Sequence, residues 1–326
     1  MRILAADVGG TKTVLAVYQD DPDTGPRELR SQQFRSADFP DIAPMVRRFL
    51  EGDRPVDRAG IGVAGPVVND TCRATNLPWE LDARRIETDL GIPRVHLVND
   101  FAAVALGIRS LAPDDLVVLQ DGEVDPDGPV IAVGAGTGLG EAIVIPDPRG
   151  ERIISSEGGH TDFAPRTEDE MALLRFLWKR HRGRVSVERV VSGRGLAALY
   201  DFVVEEGLAP TSEDVRRRVR EEDPGHVIGT AALEGSDDAC VKAVDMFVSA
   251  YGAEVGNFAL TVLPTGGVYL AGGIAPRLVE RFRGPTFLDA FLSKGRMSYL
   301  LERLRVMVIM NTRVGLLGAL VAGKRD

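Results

Sequence analysis

The sequence predicts an α/β protein of two domains, in which a strand, a glycine-rich turn and a second strand occur twice. The first such stretch, RILAADVGGTKTVLAVY, covers residues 2–18, and the second, VIAVGAGTGLGEAIVI, covers residues 130–145. A length of 326 residues agrees with this division, because domains average roughly 150 residues. The recurrence suggests two copies of one structural unit facing each other.

Apolar runs bounded by turn residues predict the remaining elements of the first half. Asp82 is expected to cap a helix that stops at Gly91. An acidic, turn-rich segment over residues 113–129 is typical of a domain junction. The predicted strands are 2–8, 14–18, 59–64 and 95–98, and the predicted helices are 40–51, 82–90 and a segment beginning near residue 100.

The second half is predicted to be richer in helices. We expect the insertion QDDPDTGPREL, residues 19–29 of the first half, to lie at the surface with no part in catalysis. The predicted helices of the second half are 171–181, 195–206, 213–221 and 237–263. A strand at 268–271 follows them, and the chain ends in a strand at 306–310 and a helix at 314–322.

Composition and charge favour a cytoplasmic protein that binds neither nucleic acid nor a membrane. The net charge of −9 and the pI of about 5.2 repel phosphate backbones. Cys72 and Cys240 lie far apart outside any CxxC pattern, which indicates a reducing compartment and argues against structural zinc. No signal segment is recognised, and the longest apolar stretch is interrupted by polar residues 311–313.

Three glycine-rich segments follow predicted strands: DVGGTKT (7–13), GAGTGLG (134–140) and LAGGIAP (270–276). Glycines let backbone N–H groups approach a phosphate closely, and Asp7 at a strand end can hold Mg²⁺ through water. The second segment precedes a strand rather than a helix and no GxxxxGK[ST] motif occurs, so the dinucleotide and P-loop classes are disfavoured. Plain turns are the alternative for each segment, but the first two together favour a phosphate-binding cleft.

An amide and a carboxylate, Asn99 and Asp100, interrupt an apolar strand–helix junction in HLVNDFAAVALG. Ligands gather at the carboxyl ends of strands in open α/β sheets, so this position favours a binding or catalytic role. The alternative is that Asp100 merely caps the following helix, which would leave Asn99 unexplained.

Polar residues recur at other junctions of the second half. SSEGGHTDFAP places Glu157, His160 and Asp162 around a glycine pair, within reach of one small ligand, and Glu188 follows in VSVERV. A single histidine with carboxylates on a flexible turn is a poor zinc site. A structural turn whose polar groups bond each other is the other alternative.

Seven motifs together resemble the bacterial glucokinase family of the hexokinase/actin-like superfamily, over nearly the whole chain and in the family's order. They are DVGGTKT, NLPWELD, VNDFAAVALG, GAGTGLG, EGGHTDFAP, VSVERVVSGRGL and AGGIAPR. The chain is unlike the ROK-type kinases, whose Cys-rich zinc signature is absent. The resemblance implies a two-domain actin-like/ribonuclease H-like ATPase fold. Its cleft is expected between a small α/β domain, 1–110 plus 301–326, and a larger α+β domain, 111–300.

The resemblance further implies a glucokinase that uses ATP and Mg²⁺ and forms a homodimer. Asp100 matches the family's catalytic base. The residues that match its glucose ligands are Asn99, Asp100, Glu157, His160 and Glu188. The nucleotide-binding set is Asp7 (also the Mg²⁺ ligand, through water), Gly9, Gly10, Thr11, Lys12, Gly136, Thr137, Gly138, Gly272 and Gly273. The alternatives are a kinase of another hexose, an amino sugar or a carboxylate, and a non-catalytic regulator or actin-like assembly protein that binds sugar and nucleotide.

Overall fold

In the computed structural model the chain divides into two units, and residues 1–148 and 150–325 are described. Unit 1 comprises Met1–Pro113 and Asn311–Asp326, and unit 2 comprises Asp114–Met310. Arg149 and Asp326, the last residue of the predicted small domain, lie outside the described residues.

Unit 1 contains the first eight strands, the first three helices and, at the end of the chain, helix α13 (Val314–Gly323). The strands are β1 (Arg2–Val8), β2 (Lys12–Asp21), β3 (Gly25–Arg35), β4 (Arg58–Val63), β5 (Val67–Val68), β6 (Thr71–Arg73), β7 (Glu80–Asp82) and β8 (Arg94–Asn99). The helices are α1 (Ile42–Leu50), α2 (Ala83–Leu90) and α3 (Asp100–Gly107). As predicted, the Asp82 side chain caps α2, which ends at Gly91 in the left-handed conformation.

Unit 2 contains the next six strands and nine helices among its described residues. The strands are β9 (Leu116–Gln120), β10 (Val130–Ala135), β11 (Leu139–Asp147), β12 (Gly150–Ser156), β13 (Gly267–Ala271) and β14 (Val306–Ile309). The helices are α4 (Glu168–Arg180), α5 (Gly193–Glu205), α6 (Glu213–Glu221), α7 (Pro224–Glu234), α8 (Asp238–Val262), α9 (Ile274–Arg277), α10 (Val279–Phe282), α11 (Pro285–Leu292) and α12 (Ser298–Leu301). Helix α13 (Val314–Gly323) then returns the chain to unit 1.

The main sheet of unit 1 has the strand order β3-β2-β1-β4-β8, in which β1, β4 and β8 are parallel. Alternate residues of β1 pack on opposite faces of this sheet: Ile3 in one apolar cluster with Leu316 of α13, and Leu4 in another with Trp79. Glycine permits close packing of α13, since a Cβ at Gly60 would lie 1.9 Å from the carbonyl oxygen of Ala319. The central strand β1 is therefore buried on both faces of the sheet.

The six-stranded sheet of unit 2 has the order β12-β11-β10-β13-β14-β9. Its central strands repeat the pattern of unit 1. Strand β10 is antiparallel to β11 and parallel to β13, just as β1 is antiparallel to β2 and parallel to β4. The repeated structural unit predicted from the two glycine-rich stretches is confirmed. Helix α8, predicted as 237–263, forms much of the apolar core of this unit.

One predicted boundary differs from the structure, and one predicted surface insertion is part of the sheet. The predicted small domain began its second segment at residue 301, but strand β14 pairs with β13 and β9 in the sheet of unit 2, so the chain returns to unit 1 only at Asn311. The insertion at 19–29 lies at the surface as expected, with most of its residues exposed, and it continues β2 and begins the edge strand β3. Strand β3 is mostly exposed, so its sequence lacks the alternation by which a half-buried strand is recognised.

Helices in the described part of the chain are each too short or too polar to cross a membrane.

Candidate functional site

The first glycine turn, residues 9–11, joins β1 to β2 and is fixed by a buried serine. The Ser36 hydroxyl donates to the carbonyl oxygen of Gly9 at 2.7 Å and lies 3.0 Å from the hydroxyl of Thr13. The Ser36 backbone N–H donates to the carbonyl oxygen of Thr11 at 3.1 Å. Ser36 is fully buried, and nothing in its local sequence distinguishes it from a surface serine, so the sequence analysis missed it.

Gly10 needs its missing side chain, because a Cβ there would lie 2.6 Å from the Cβ of Asn76. This contact brings the NLPWELD segment against the turn. Thr11 and Lys12 are exposed. The turn therefore presents a short backbone segment, a hydroxyl and an ammonium group at the carboxyl end of β1.

Asp7 lies near the end of β1, at the same sheet edge as the end of β8, because β1, β4 and β8 run parallel in register. The pKa of Asp7 is raised to about 6; burial is the largest cause, the negative charge of Asp100 is the second, and the positive charge of Lys12 acts in the opposite direction. The carboxylate also faces the first turn of α13, since a Cβ at Gly315 would be 3.4 Å from its Oδ2. The structure thus brings Asp7 and Asp100 close enough for their charges to interact.

The end of β8 resolves the question raised by Asn99 and Asp100. Asn99 is the N-cap of α3, and its Oδ1 accepts from the N–H groups of Phe101 and Ala102 at 3.0 and 3.1 Å. Its Nδ2 donates to the carbonyl oxygen of Gly65 at 3.1 Å. The alternative that Asp100 caps the helix is therefore wrong. Asp100 is the first helical residue, partly exposed, with Oδ1 accepting from the Phe101 N–H at 2.8 Å.

The second glycine turn, residues 136–138, joins β10 to β11 in unit 2. Its geometry is fixed by backbone groups, since the Gly136 N–H donates to the carbonyl oxygen of Gly138 at 2.8 Å. The N–H of Gly193, the first residue of α5, donates to the carbonyl oxygen of Gly136 at 2.8 Å. The N-terminus of α5 therefore lies against this turn. Thr137 is exposed, and a Cβ at Gly136 would meet no atom within 4 Å.

The two glycines after β13 have different roles. A Cβ at Gly272, whose φ is +81°, would lie 2.3 Å from the carbonyl oxygen of Ala135, so this glycine permits close backbone packing beside the second turn. A Cβ at Gly273 would meet nothing within 4 Å. Gly273 therefore leaves open space, whereas Gly272 is explained by packing.

Glu188 contacts the second turn directly. Its Oε2 accepts from the N–H of Leu139 at 3.1 Å, and a Cβ at Gly138 would be 2.5 Å from the same oxygen. The segment before Glu188 is joined to the 157–160 turn, because the Val187 N–H donates to the carbonyl oxygen of Thr161 at 2.9 Å. The structure thus places Glu188 beside the glycine turn and close to the EGGH segment.

Glu157 and His160 are neighbours on that segment, with 3.8 Å between Oε2 and Nε2. Their side chains are 86% and 57% exposed, so neither is held by the protein core. Asp162 has a structural partner instead, the guanidinium of Arg184 at 3.0 Å. In the described residues, no group of three or more His, Cys, Asp or Glu side chains is arranged to hold a metal ion.

Comparisons with known proteins bear on the family and the fold of the chain. The family model described as Glucokinase matches residues 4–326. The glucokinase of Nostoc punctiforme is 44% identical over 337 residues, covering 99% of each chain. A glucokinase from an Antarctic psychrotroph has a TM-score of 0.85 at 29% identity and covers 100% of this chain and 99% of its own.

A more distant structure shares the fold alone. A ROK family glucokinase from Streptomyces griseus, solved with glucose and AMPPNP, has a TM-score of 0.63 at 22% identity and full coverage of both chains. The TM-score of the psychrotroph enzyme is higher than that of the ROK enzyme, which supports the distinction of this chain from the ROK type. The predicted actin-like ATPase fold is confirmed. A family model that spans nearly every residue and a relative of the same length leave one assignment: the chain belongs to the glucokinase family.

Proposed function

We propose that this protein transfers the γ-phosphoryl group of ATP to the 6-hydroxyl of D-glucose, with Asp100 as the general base. Family membership over the full length supports the activity. The observation that carries the assignment of the base is the position of Asp100, partly exposed at the carboxyl end of a parallel strand and near a second carboxylate, Asp7.

The chemistry requires a base because a sugar hydroxyl has a pKa far above 7 and attacks phosphorus poorly while it keeps its proton. A carboxylate within hydrogen-bonding distance removes that proton as the new P–O bond forms. Such general-base catalysis raises the reaction rate by about 10²- to 10⁴-fold. The Phe101 N–H that donates to Oδ1 fixes the orientation of the Asp100 carboxylate. The base is thus held by the first turn of α3.

The residues of unit 1 fit Mg²⁺ held through water. Mg²⁺ keeps several of its waters and takes one or two carboxylates together with substrate phosphates, and two interacting carboxylates, Asp7 and Asp100, are present. Asp7 would hold the hydrated ion. When bound, Mg²⁺ neutralises charge on the phosphate oxygens of the nucleotide.

Both glycine turns are suited to bind phosphate oxygens. In unit 1 we assign this role to Gly9, Gly10, Thr11 and Lys12, and in unit 2 to Gly136, Thr137 and Gly138. The N-terminus of α5 supports the second assignment, because helix N-termini attract anions. Gly273 leaves room for the adenosine, and Gly272 permits that loop to pack beside the turn. AMPPNP, bound by the Streptomyces griseus kinase, is an analogue of the donor that we propose.

We assign glucose hydroxyls to Asn99, Asp100, Glu157, His160 and Glu188. Asn99 uses Oδ1 for the helix cap and one N–H of Nδ2 for Gly65, which leaves its second N–H as a donor to the sugar. Glu188 accepts from the Leu139 N–H with Oε2, so its Oε1 is the oxygen that would accept from a sugar hydroxyl. Sugars that lack or invert a hydroxyl would leave such groups unpaired and so bind less well.

Two further proposals concern the location and the oligomeric state of the protein. The cytoplasmic location rests on Cys72 and Cys240, which are both buried and unpaired. The homodimer rests on the family resemblance, and sedimentation velocity at micromolar concentration tests it: a sedimentation coefficient matching 35.2 kDa would contradict it.

An ADP-release assay with ATP, Mg²⁺ and a panel of sugars tests the function. We expect turnover with glucose and weaker turnover with mannose and glucosamine. We expect none with 6-deoxyglucose, which lacks the nucleophile. A higher kcat/KM for another sugar would favour a different kinase of this superfamily. Nucleotide binding without sugar-dependent ADP release would favour a regulator and contradict the proposal.

A further inference from the structure

A buried carboxyl group outside the predicted site lies under the EGGH turn. Glu141 of β11 is only 3% exposed. Its Oε2 is 3.5 Å from the hydroxyl of Ser156, a long contact, and within the described residues no donor reaches its Oε1. An ionised carboxylate with an oxygen left unpaired in the core is costly, so this group requires an explanation.

The explanation is a second carboxyl group, Glu254 of α8. The carboxyl group of Glu254 lies close enough to that of Glu141 to raise its pKa, and a hydrogen bond between two carboxyl groups requires that one of them carries a proton. Burial raises the pKa of Glu141 to about 7, with the negative charge of Glu254 as the second cause, and burial also raises the pKa of Glu254. The proton supplies the donor that Oε1 lacks.

The groups around the pair do not replace that proton. Lys294 donates to the Ala253 carbonyl oxygen at 2.9 Å and to Asn257 Oδ1 at 2.7 Å, and burial lowers its pKa. Asn257 donates to Glu254 at 3.3 Å, and Tyr251 donates to the Val133 carbonyl oxygen. Among the described residues, Arg166 is a further charged neighbour, which acts on Lys294 and is paired with Glu170.

Glu141 also packs directly against the turn that carries Glu157 and His160. A Cβ at Gly158 would lie 1.8 Å from Glu141 Oε2, so the carboxyl oxygen occupies the space beside this glycine. The Gly158 N–H donates to the Ser156 hydroxyl at 2.9 Å, and that hydroxyl is the one near Glu141. Any displacement of Glu141 is therefore passed to Gly158 by contact and through Ser156.

We infer that Glu141 and Glu254 share one proton, and that this protonated pair positions the 157–160 turn for glucose, so that loss of the proton weakens glucose binding. The inference rests on the proposed function. With both groups ionised, repulsion would push Glu141 from Glu254 toward Gly158. Glu141 and Glu254 are positioning residues in this account, since neither is assigned a contact with the sugar.

The expected pH dependence follows from the direction of the pKa shift. A carboxyl group whose pKa is raised on folding, from 4.5 to about 7 for Glu141, favours the folded protein fully below pH 4.5, and this contribution is lost as the pH rises through about 7. Glucose affinity should fall over the upper part of this range, by about fivefold, a value typical of weak coupling between linked sites. The value of kcat should follow a different profile, because Asp100 is remote from the pair in sequence and role.

The decisive variants are E141Q and E254Q, which keep the shape, remove one carboxylate and supply an amide donor at every pH. Calorimetric titration of glucose into the full chain at pH 6.0, 7.0 and 8.5 measures the affinity, with E302Q as an exposed control. We expect wild type and E302Q to lose affinity with rising pH, and E141Q and E254Q to stay near the value at pH 6.0. An unchanged pH dependence in both Gln variants would overturn the inference.

A second readout does not depend on sugar binding. The Tm of wild type relative to that of E141Q should fall as the pH is raised from about 5 to about 7.5. Only wild type has the buried Glu141 carboxyl group, whose contribution to stability is lost as the pH rises. Parallel Tm profiles would also overturn the shared proton. If glucose binds none of the four proteins at any pH, the proposed function fails, while the Tm comparison still decides whether the proton is shared.

Discussion

The two glycine turns occupy equivalent positions in equivalent sheets, yet their surroundings differ in chemistry. Where unit 1 has Asp7, paired with Gly62 of the neighbouring parallel strand, unit 2 has Gly134, paired with Ala271. The turn of unit 1 is held by the Ser36 hydroxyl and lies near two carboxylates. The turn of unit 2 is held by Gly193 at the N-terminus of α5.

This difference indicates that the two units share a backbone arrangement, whereas their side chains give the two turns different functional roles. Carboxylates are suited to remove a proton and to hold a hydrated cation, which are the tasks assigned to unit 1. Backbone N–H groups and a helix N-terminus are suited to bind anions, which is the task assigned to the turn of unit 2. Substitution of the Asp100 carboxylate of unit 1 should therefore affect mainly kcat, whereas substitution of Glu188 beside the turn of unit 2 should affect mainly KM.

The largest effect is expected at Asp100. Asp100→Asn keeps an oxygen that can accept from the Phe101 N–H, so the helix start should be preserved while the base is lost. We expect kcat to fall by at least ~10²-fold with little change in glucose affinity, measured by ADP release and by calorimetry. Asp89→Asn, an exposed aspartate of α2, is the control. Near-normal turnover in Asp100→Asn would remove Asp100 from the chemistry.

The next effect is expected at Glu188 in unit 2. Glu188→Gln replaces a charged acceptor of the Leu139 N–H, which in the proposed function also accepts from a sugar hydroxyl. Hydrogen bonds to charged groups contribute about 1.5–3 kcal/mol, so KM for glucose should rise roughly tenfold to hundredfold, with a smaller change in kcat. Glu302→Gln serves as an exposed control in the same unit. A fall in kcat as large as that of Asp100→Asn would break the proposed division between the units.

A smaller effect is expected at Ser36. Ser36→Ala leaves the buried carbonyl oxygen of Gly9 and the hydroxyl of Thr13 without this partner. We expect KM for ATP to rise by about fivefold and the free energy of unfolding to fall by about 1–2 kcal/mol. Steady-state kinetics and urea unfolding measure these changes. Ser31→Ala, on the exposed strand β3, should leave KM for ATP unchanged, and equal behaviour of the two variants would contradict the role of Ser36.

An effect on stability of the opposite sign is expected from Asp7→Asn. The pKa of Asp7 is raised on folding from 3.8 to about 6, so its contribution to stability is full below pH 3.8 and lost as the pH rises through about 6. The Asn variant should therefore be more stable than wild type at pH 8 by roughly 1–3 kcal/mol while losing activity with Mg²⁺. Chemical unfolding at pH 4 and pH 8 measures the difference. A variant less stable than wild type at pH 8 would contradict the burial cost.

Much of the fold was predictable because its signals are local. The strand–turn–strand stretches and the long helix α8 carry continuous apolar patterns, and Asp82 and Gly91 mark the ends of α2. Strand β3 was missed because it is polar and exposed on an edge. The domain boundary was placed too early because β14 looks the same in sequence whichever sheet it joins, and only its pairing with β13 and β9 decides.

Candidate site residues at the ends of strands were also predictable, because the topology of parallel strands brings these ends together. Residues whose role depends on their buried surroundings were not predictable from the sequence. Ser36 and Glu141 have no distinctive neighbours in sequence, and their importance follows from which groups surround them in three dimensions. The cap at α3 shows the same limit, since Asn99 and Asp100 are both good capping residues and only the hydrogen bonds identify which one is used.

The central claim is that Asp100 deprotonates the 6-hydroxyl of glucose for attack on ATP. Phosphorus NMR of reactions with glucose, ATP and Mg²⁺ tests it most directly, with wild type and Asp100→Asn at equal concentration. The account predicts that wild type converts the γ-phosphate to glucose 6-phosphate, and that this product forms at least ~10²-fold more slowly with the variant. Glucose 6-phosphate formed at the same rate by both proteins, or only inorganic phosphate from wild type, would contradict it.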